Sequence, residues 1–193
     1  DILNGKRHGV GRTAMENGKT AYEGGYLSDK RDGFGVYYYK TGRLCYAGNW
    51  KQNQRDGMGV SFRPKDKTVH VGCFTEDEPV GMGARFDDKG NLLFAGRYED
   101  GKRQGGGVSY CAADGRIVVG QWEGDVPTGK GTEFDENGNL LYSGGWKDGE
   151  RSGLGMCFDE TGALLYKGDF YHNRYHGEGT LYLADGHIVT GLF

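Results

Sequence analysis

The chain has 193 residues, with 24 Lys and Arg against 27 Asp and Glu and a formal net charge of −3. That weakly acidic balance excludes nucleic-acid recruitment by the overall field, and no apolar run approaches the roughly 20 residues of a membrane-spanning helix. The 38 glycines disfavour helix, while 13 Tyr, 9 Phe and 3 Trp exclude the aromatic-poor composition of a disordered chain.

The predicted elements recur along the chain. Tyr22-Glu23-Gly24-Gly25-Tyr26, Tyr46-Ala47-Gly48-Asn49-Trp50, Phe94-Ala95-Gly96-Arg97-Tyr98, Tyr142-Ser143-Gly144-Gly145-Trp146 and Tyr166-Lys167-Gly168-Asp169-Phe170 share the pattern Y-x-G-x-W with aromatic substitutions. Their central glycines keep a 24-residue period from Gly24 to Gly168, and a last copy ends at Gly191 and Phe193, one residue early. G-x-G pairs hold the same period from Gly9/Gly11 through Gly57/Gly59 to Gly177/Gly179, eight copies in all. Such self-similarity marks a repeat architecture.

Each unit reads as strand, turn, strand, turn. Leu44, Tyr46, Gly48 and Trp50 alternate with period 2. A polar turn, Gln52-Asn53-Gln54-Arg55, precedes a second strand from Gly57 to about Phe62, and a second turn is clearest at Asp88-Lys89-Gly90-Asn91. The predicted fold is all-β, an elongated, solenoid-like antiparallel meander of about eight repeated β-hairpins. It forms one array over residues 1–193, with a partial unit at 1–21, full units from Tyr22, Tyr46, His70, Phe94, Val118, Tyr142 and Tyr166, and a partial unit at 189–193. A two-strand hairpin cannot bury a core of its own. We therefore expect the aromatic rings to lie over both glycines of a G-x-G pair in a paired strand, where the missing Cβ leaves a shallow bed.

The Y-x-G-x-W pattern, the polar turn and the G-x-G pair together resemble the MORN (membrane occupation and recognition nexus) repeat, over essentially the whole chain. The nearest copy runs from Tyr166-Lys167-Gly168-Asp169-Phe170 through His176-Gly177-Glu178-Gly179. The 24-residue unit and the form of Phe134 to Gly144 look like bacterial or protist members. The resemblance implies a hairpin array that binds proteins and sometimes lipids. The family's His before G-x-G stands only at His8 and His176, with Asp32, Asp56 and Ser152 elsewhere, so a ligand role for that position is not carried over.

No catalytic, cofactor or metal constellation is expected. His8, His70, His172, His176 and His187 lack metal-ligand spacing, and His172 and His176 lie across a hairpin turn. The pairs Asp87-Asp88, Asp135-Glu136 and Asp159-Glu160 recur at one phase, which fits turns rather than acid–base chemistry. Cys45, Cys73, Cys111 and Cys157 form no C-x-x-C pair; as free thiols, with no recognisable signal peptide, they favour a cytoplasmic setting. The chain starts and stops in mid-unit, so either a longer natural protein or end strands that pair with something else is expected.

One column stands out. Arg7, Arg31, Arg55, Arg103 and Arg151 share the turn phase before G-x-G, with Pro79 and Pro127 interrupting, and are the candidate partner-docking edge. The function expected is a non-catalytic protein-interaction or scaffolding module, with self-association through open edge strands as one mode. The alternative is a module that binds anionic lipid such as phosphoinositide, which the negative charge and the broken basic column disfavour.

Overall fold

A computed structural model describes all residues, 1–193, and every regular element in it is a strand. The chain divides into two compact units, Asp1–Leu92 with Tyr98–Gly101, and Leu93–Arg97 with Lys102–Phe193. The first holds β1 (Ile2–Leu3), β2 (Lys6–Arg7), β3 (Gly9–Ala14), β4 (Thr20–Leu27), β5 (Lys30–Tyr38), β6 (Leu44–Lys51), β7 (Gln54–Arg63), β8 (Thr68–Thr75) and β9 (Glu78–Asp87). Strand β10 (Leu92–Glu99) contributes to both units. The second holds β11 (Lys102–Cys111), β12 (Arg116–Glu123), β13 (Val126–Phe134), β14 (Leu140–Lys147), β15 (Glu150–Phe158), β16 (Leu164–Tyr171), β17 (Arg174–Tyr182) and β18 (Ile188–Leu192). Strands β3 to β18 follow chain order in one 16-stranded antiparallel sheet, the meander expected from the repeat.

The first turn of the repeat is tighter than its sequence suggests. Gln52 and Asn53 both have positive φ, 49° and 77°, as do Ser28 and Asp29, Glu76 and Asp77, and His172 and Asn173. Two consecutive left-handed residues make the type I′ turn whose twist matches a hairpin. Pairing therefore resumes at once, with Lys51 opposite Gln54 and Trp50 opposite Arg55, so β7 starts three residues before the Gly57 expected. In the second turn, Asp87 Oδ1 accepts the backbone N–H groups of Lys89 (2.9 Å) and Asn91 (2.8 Å). Asp135 and Asp159 do the same in their turns. The Asn91 side chain and these N–H groups hold the Asp87 carboxyl below the usual carboxylate range. The recurring carboxylates are turn residues.

The two glycines of each G-x-G pair do different work, which corrects the expectation that both lie under rings. Between the pairs Gly48–Gly59 and Trp50–Arg55 the register shifts, leaving Asn49 opposite three residues of β7. Gly57 takes up this bulge at φ 93°, and the first glycine of every other pair also has positive φ, from 58° to 79°. A Cβ at Gly57 would meet only the Asn49 side chain, at 3.1 Å. Only the second glycine carries a ring. A Cβ at Gly59 would overlap the Tyr46 ring, at Gly35 the Tyr22 ring, and at Gly83 it would lie 2.8 Å from His70 Cε1. Val118 offers no ring to Gly131, and there Trp146 from the next strand fills the bed at 3.0 Å.

Each Tyr crosses its glycine bed to reach the bulge. Tyr22, Tyr46, Tyr142 and Tyr166 donate their hydroxyls to the backbone carbonyls of Gly25, Asn49, Gly145 and Asp169, at 2.8–3.0 Å. Burial pushes the Tyr46 hydroxyl up to about 12, so it remains a donor at any ordinary pH. Rings of successive units meet edge to face, Tyr22 with Trp50 at 5.7 Å and Tyr46 with Phe74 at 5.3 Å in the first unit, and Tyr142 with Phe170 at 5.0 Å in the second. The core of the first unit is Tyr22, Tyr26, Tyr46, Trp50 and Phe74; that of the second contains Tyr142, Trp146, Cys157, Tyr166 and Phe170.

His70 occupies a Tyr position, is 1% exposed, and neither ring nitrogen has a hydrogen-bond partner. Burial first, then the nearby Arg85, Arg55 and Arg63, lower its pKa to about 4. The unfolded state therefore binds a proton that the folded state refuses between pH ~6.5 and ~4. Stability should be complete above pH 6.5 and fall as the pH drops towards 4, by roughly 2–4 kcal/mol. Chemical denaturation across pH 4–7 checks this, because His70→Phe should remove most of that slope and an unchanged slope contradicts it.

Candidate interaction surface

The structure brings the five predicted arginines to one turn phase but uses them inside the chain. Arg55 donates its backbone N–H (2.9 Å) and Nε (3.1 Å) to Asp77 Oδ1 and Nη1 to the Ser61 hydroxyl (3.0 Å), and its carbonyl accepts the Asp77 N–H (3.1 Å). Arg7 grips Asp29, Arg31 grips Asn53, Arg103 grips Asp125 and Arg151 grips Asn173, each 22 residues on. The guanidinium groups lie over rings, Arg31 4.1 Å above Trp50 and Arg103 4.3 Å above Trp122. The grip ties each first turn to the next.

The two interruptions of the column follow the same logic. Pro79 and Pro127 have no N–H to give, and the residues 22 positions on are Gly101 and Gly149, which have no side-chain acceptor. The reciprocal bonds survive, Gly101 N–H to the Pro79 carbonyl at 3.0 Å and Gly149 N–H to the Pro127 carbonyl at 3.1 Å. Arg with Asp or Asn, and Pro with Gly, are thus matched pairs. The 22-residue spacing of these pairs is present in the sequence but falls outside the 24-residue phase that the aromatics and glycines keep. Asp77→Ala should cost about 1–3 kcal/mol, because it strips the acceptor from a backbone N–H and puts Ala at positive φ. Asp77→Asn should stay within ~0.5 kcal/mol, since Asn53 and Asn173 already do this work. Urea unfolding of both variants decides, and equal losses would contradict the grip.

In the second unit, Glu133 is 2% exposed and paired with Arg116 (2.7 Å) and Arg151 (2.8 Å). Nothing in the sequence pattern singled it out, since its repeat phase holds Thr13, Tyr37 and Ser61 elsewhere. His172 lies beside the Glu150 carboxylate in an exposed turn.

The opposite face of the sheet was also missed. Across β5 to β9 the strand alternation turns three rows of side chains away from the aromatic core. The first row is Phe34, Asn49, Met58, Cys73 and Met82, the second Val36, Ala47, Val60, Val71 and Ala84, and the third Tyr38, Leu44, Phe62, Val69 and Phe86, Leu44 standing opposite Tyr38 because β6 is bulged at Cys45. None of these fifteen side chains is charged. Phe34, Met58 and Met82 are 65%, 56% and 69% exposed. The signal was the middle residue of G-x-G, which is apolar here and Lys130 or Glu178 in other copies. The matching face of the second unit is more polar, a shallow depression lined by Lys130, Thr132, Ser143, Leu154, Met156 and Lys167.

The rims of the apolar face differ in charge. Beside the first row stand Asp32, Asp56, Glu76 and Glu78 with Lys30 and Lys51 among them; beside the third, Lys40, Arg43, Arg63, Lys65, Lys67 and Lys89 outnumber Asp66 and Asp88. A cavity at the third row is lined by Leu44, Phe62, Pro64, Thr68 and Val69 with Arg43, Arg63, Lys67 and Asp88.

The MORN-repeat family model matches residues 2–20, 22–42, 46–65, 94–116, 119–140, 142–163 and 166–188. The chain belongs to the MORN-repeat family. The matches pass over 66–93, where His70 replaces the Tyr and Pro79 the Arg, although the structure shows the same hairpin there. No curated protein matches the MORN chain. Among solved structures it is similar to a catalytically inactive virginiamycin B lyase from Staphylococcus aureus with quinupristin, at 11% identity and a TM-score of 0.20, covering 99% of this chain and 72% of that one. At that score the likeness bears on neither fold nor activity. MORN repeats are generally associated with protein or membrane interaction and generally lack catalysis.

Proposed function

We propose that this MORN array is a non-catalytic protein-interaction module, a scaffold that docks a partner on its sheet face. The observation that carries the reading is the uncharged apolar face of β5 to β9, with three large side chains more than half exposed. Contiguous apolar surface rimmed by charge marks interaction sites. We place docking on this face and not on the arginine column, because the guanidinium groups of Arg7, Arg31, Arg55 and Arg103 bond to the next turn and that of Arg151 bonds to Glu133. The basic rim from Lys40 to Lys89 favours a second reading, an anionic membrane surface. The acidic rim opposite, Asp32 to Glu78, would then face the same headgroups and repel them.

The test compares the parent chain with Val60→Arg. Proteins captured from the source cell by the parent should be lost by the variant, and the purified partner should bind the parent directly. Sedimentation with phosphoinositide-containing vesicles, abolished by the same substitution, would overturn the reading in favour of lipid.

A further inference from the structure

We infer that the occupant of this face is an amphipathic α-helix of another protein, lying across strands β5 to β9 in the valley over the second row; this rests on the interaction reading above. The second row, Val36, Ala47, Val60, Val71 and Ala84, consists of short side chains. It is walled on one side by Phe34, Met58 and Met82, which stand into solvent, and on the other by Tyr38, Phe62 and Phe86. Walls four residues apart along a strand are about 13 Å apart. An α-helix is about 10–12 Å across with its side chains, so one helix fills the valley and two do not. Five strands at about 4.8 Å give a valley roughly 19 Å long, or three to four turns of helix.

Area argues against a second copy of the chain. The valley and its walls cover roughly 250–300 Å² in plan, well below the ~800 Å² each partner gives to a standard interface. To approach that area two copies would have to enlist β3 and β4, whose side chains on this face include Arg12 and Glu23. A helix in a groove needs only the apolar strip itself. The rims specify its flanks. Whichever direction the helix runs, one flank faces a rim of net negative charge, Asp32, Asp56, Glu76 and Glu78 against Lys30 and Lys51, and the other a rim of net positive charge, where Arg43, Arg63 and Lys67 outnumber Asp66 and Asp88. The fitting partner is a helix with a leucine-rich stripe, Lys or Arg along one flank and Asp or Glu along the other.

The test uses three 16-residue helical peptides with leucines at i, i+3, i+4, i+7 and i+11. One has a basic and an acidic flank, one two basic flanks, and one two acidic flanks. They are titrated into the full chain carrying ¹³C-methyl Met, Val and Ala. The mixed-flank peptide should move the methyls of Met58, Met82, Val36, Ala47, Val60, Val71 and Ala84, and bind at least fivefold tighter than the other two. Val60→Arg and Ala47→Lys should each weaken it at least tenfold. Both variants should fold, because the repeat carries Arg12 and Lys167 at these two phases elsewhere, and an unchanged circular dichroism spectrum verifies it. Equal affinity for all three peptides, or methyl shifts elsewhere, would overturn the helix inference. If ultracentrifugation shows instead a dimer that Val60→Arg dissociates, the occupant is a second copy; the helix inference falls and the interaction reading stands. If only anionic vesicles move these methyls, both fall.

Discussion

Truncating Trp50 to Ala is expected to cost about 3–5 kcal/mol, close to a third of the stability of an ordinary domain. The ring is 5% exposed and sits edge to face with Tyr46 at 5.0 Å and Tyr22 at 5.7 Å, so it joins the aromatic sets of two successive repeats. Its indole N–H donates to the Gly35 carbonyl at 3.1 Å, and Arg31 lies 4.1 Å above it. Removing the ring leaves a cavity, takes one donor from the Gly35 carbonyl and removes the platform under the Arg31 guanidinium. Trp50→Phe should lose much less, about 1–2 kcal/mol, because it keeps the edge contacts and forfeits mainly the hydrogen bond. Thermal and urea unfolding measure both, and a loss for Trp50→Ala below ~1 kcal/mol would show that the aromatic ladder is not what holds the repeats together.

Gly59→Val is expected to cost at least ~3 kcal/mol although Val is the better strand former. The added Cβ would overlap the Tyr46 hydroxyl and ring, and Tyr46 is 0% exposed and tied to the Asn49 carbonyl, so it has nowhere to turn. Gly59→Ala should show most of the same effect, since the first added carbon makes the clash. Gly57 gives the contrast. Its Cβ would find room beside a movable Asn49 side chain, and only its φ of 93° resists a side chain, worth roughly 1–2 kcal/mol. Hydrogen exchange should show the Gly59 damage confined to β6, β7 and β8, because repeats touch only their neighbours. Equal losses at Gly57 and Gly59 would mean that backbone conformation alone, and not the ring bed, explains both glycines.

These two experiments separate roles that the sequence presents as one. G-x-G looks symmetric on paper, yet one glycine bends the backbone and the other makes room for a ring. The arginine column has intrachain bonds that its sequence phase does not show, for a related reason. A repeated cation at a turn looks like a solvent-facing edge, because a one-dimensional pattern shows where a residue recurs and not which way its side chain leans. Only the folded hairpins bring Arg55 within reach of Asp77, one turn further along the sheet.

The sequence by itself determined the all-β class, the 24-residue period, the antiparallel order and the ring-on-glycine packing. All four follow from local chemistry: alternation, turn residues and the alternation of glycine with aromatics are readable one unit at a time. The tertiary structure decided the rest. It gave the two glycines their separate tasks, tied the arginines to neighbouring turns, buried Glu133 between Arg116 and Arg151, and left Phe34, Met58 and Met82 on one uncharged face. These depend on register between strands. Register is fixed by the bulge and the two-residue turn acting together over both neighbours, so it appears only when adjacent repeats are in place.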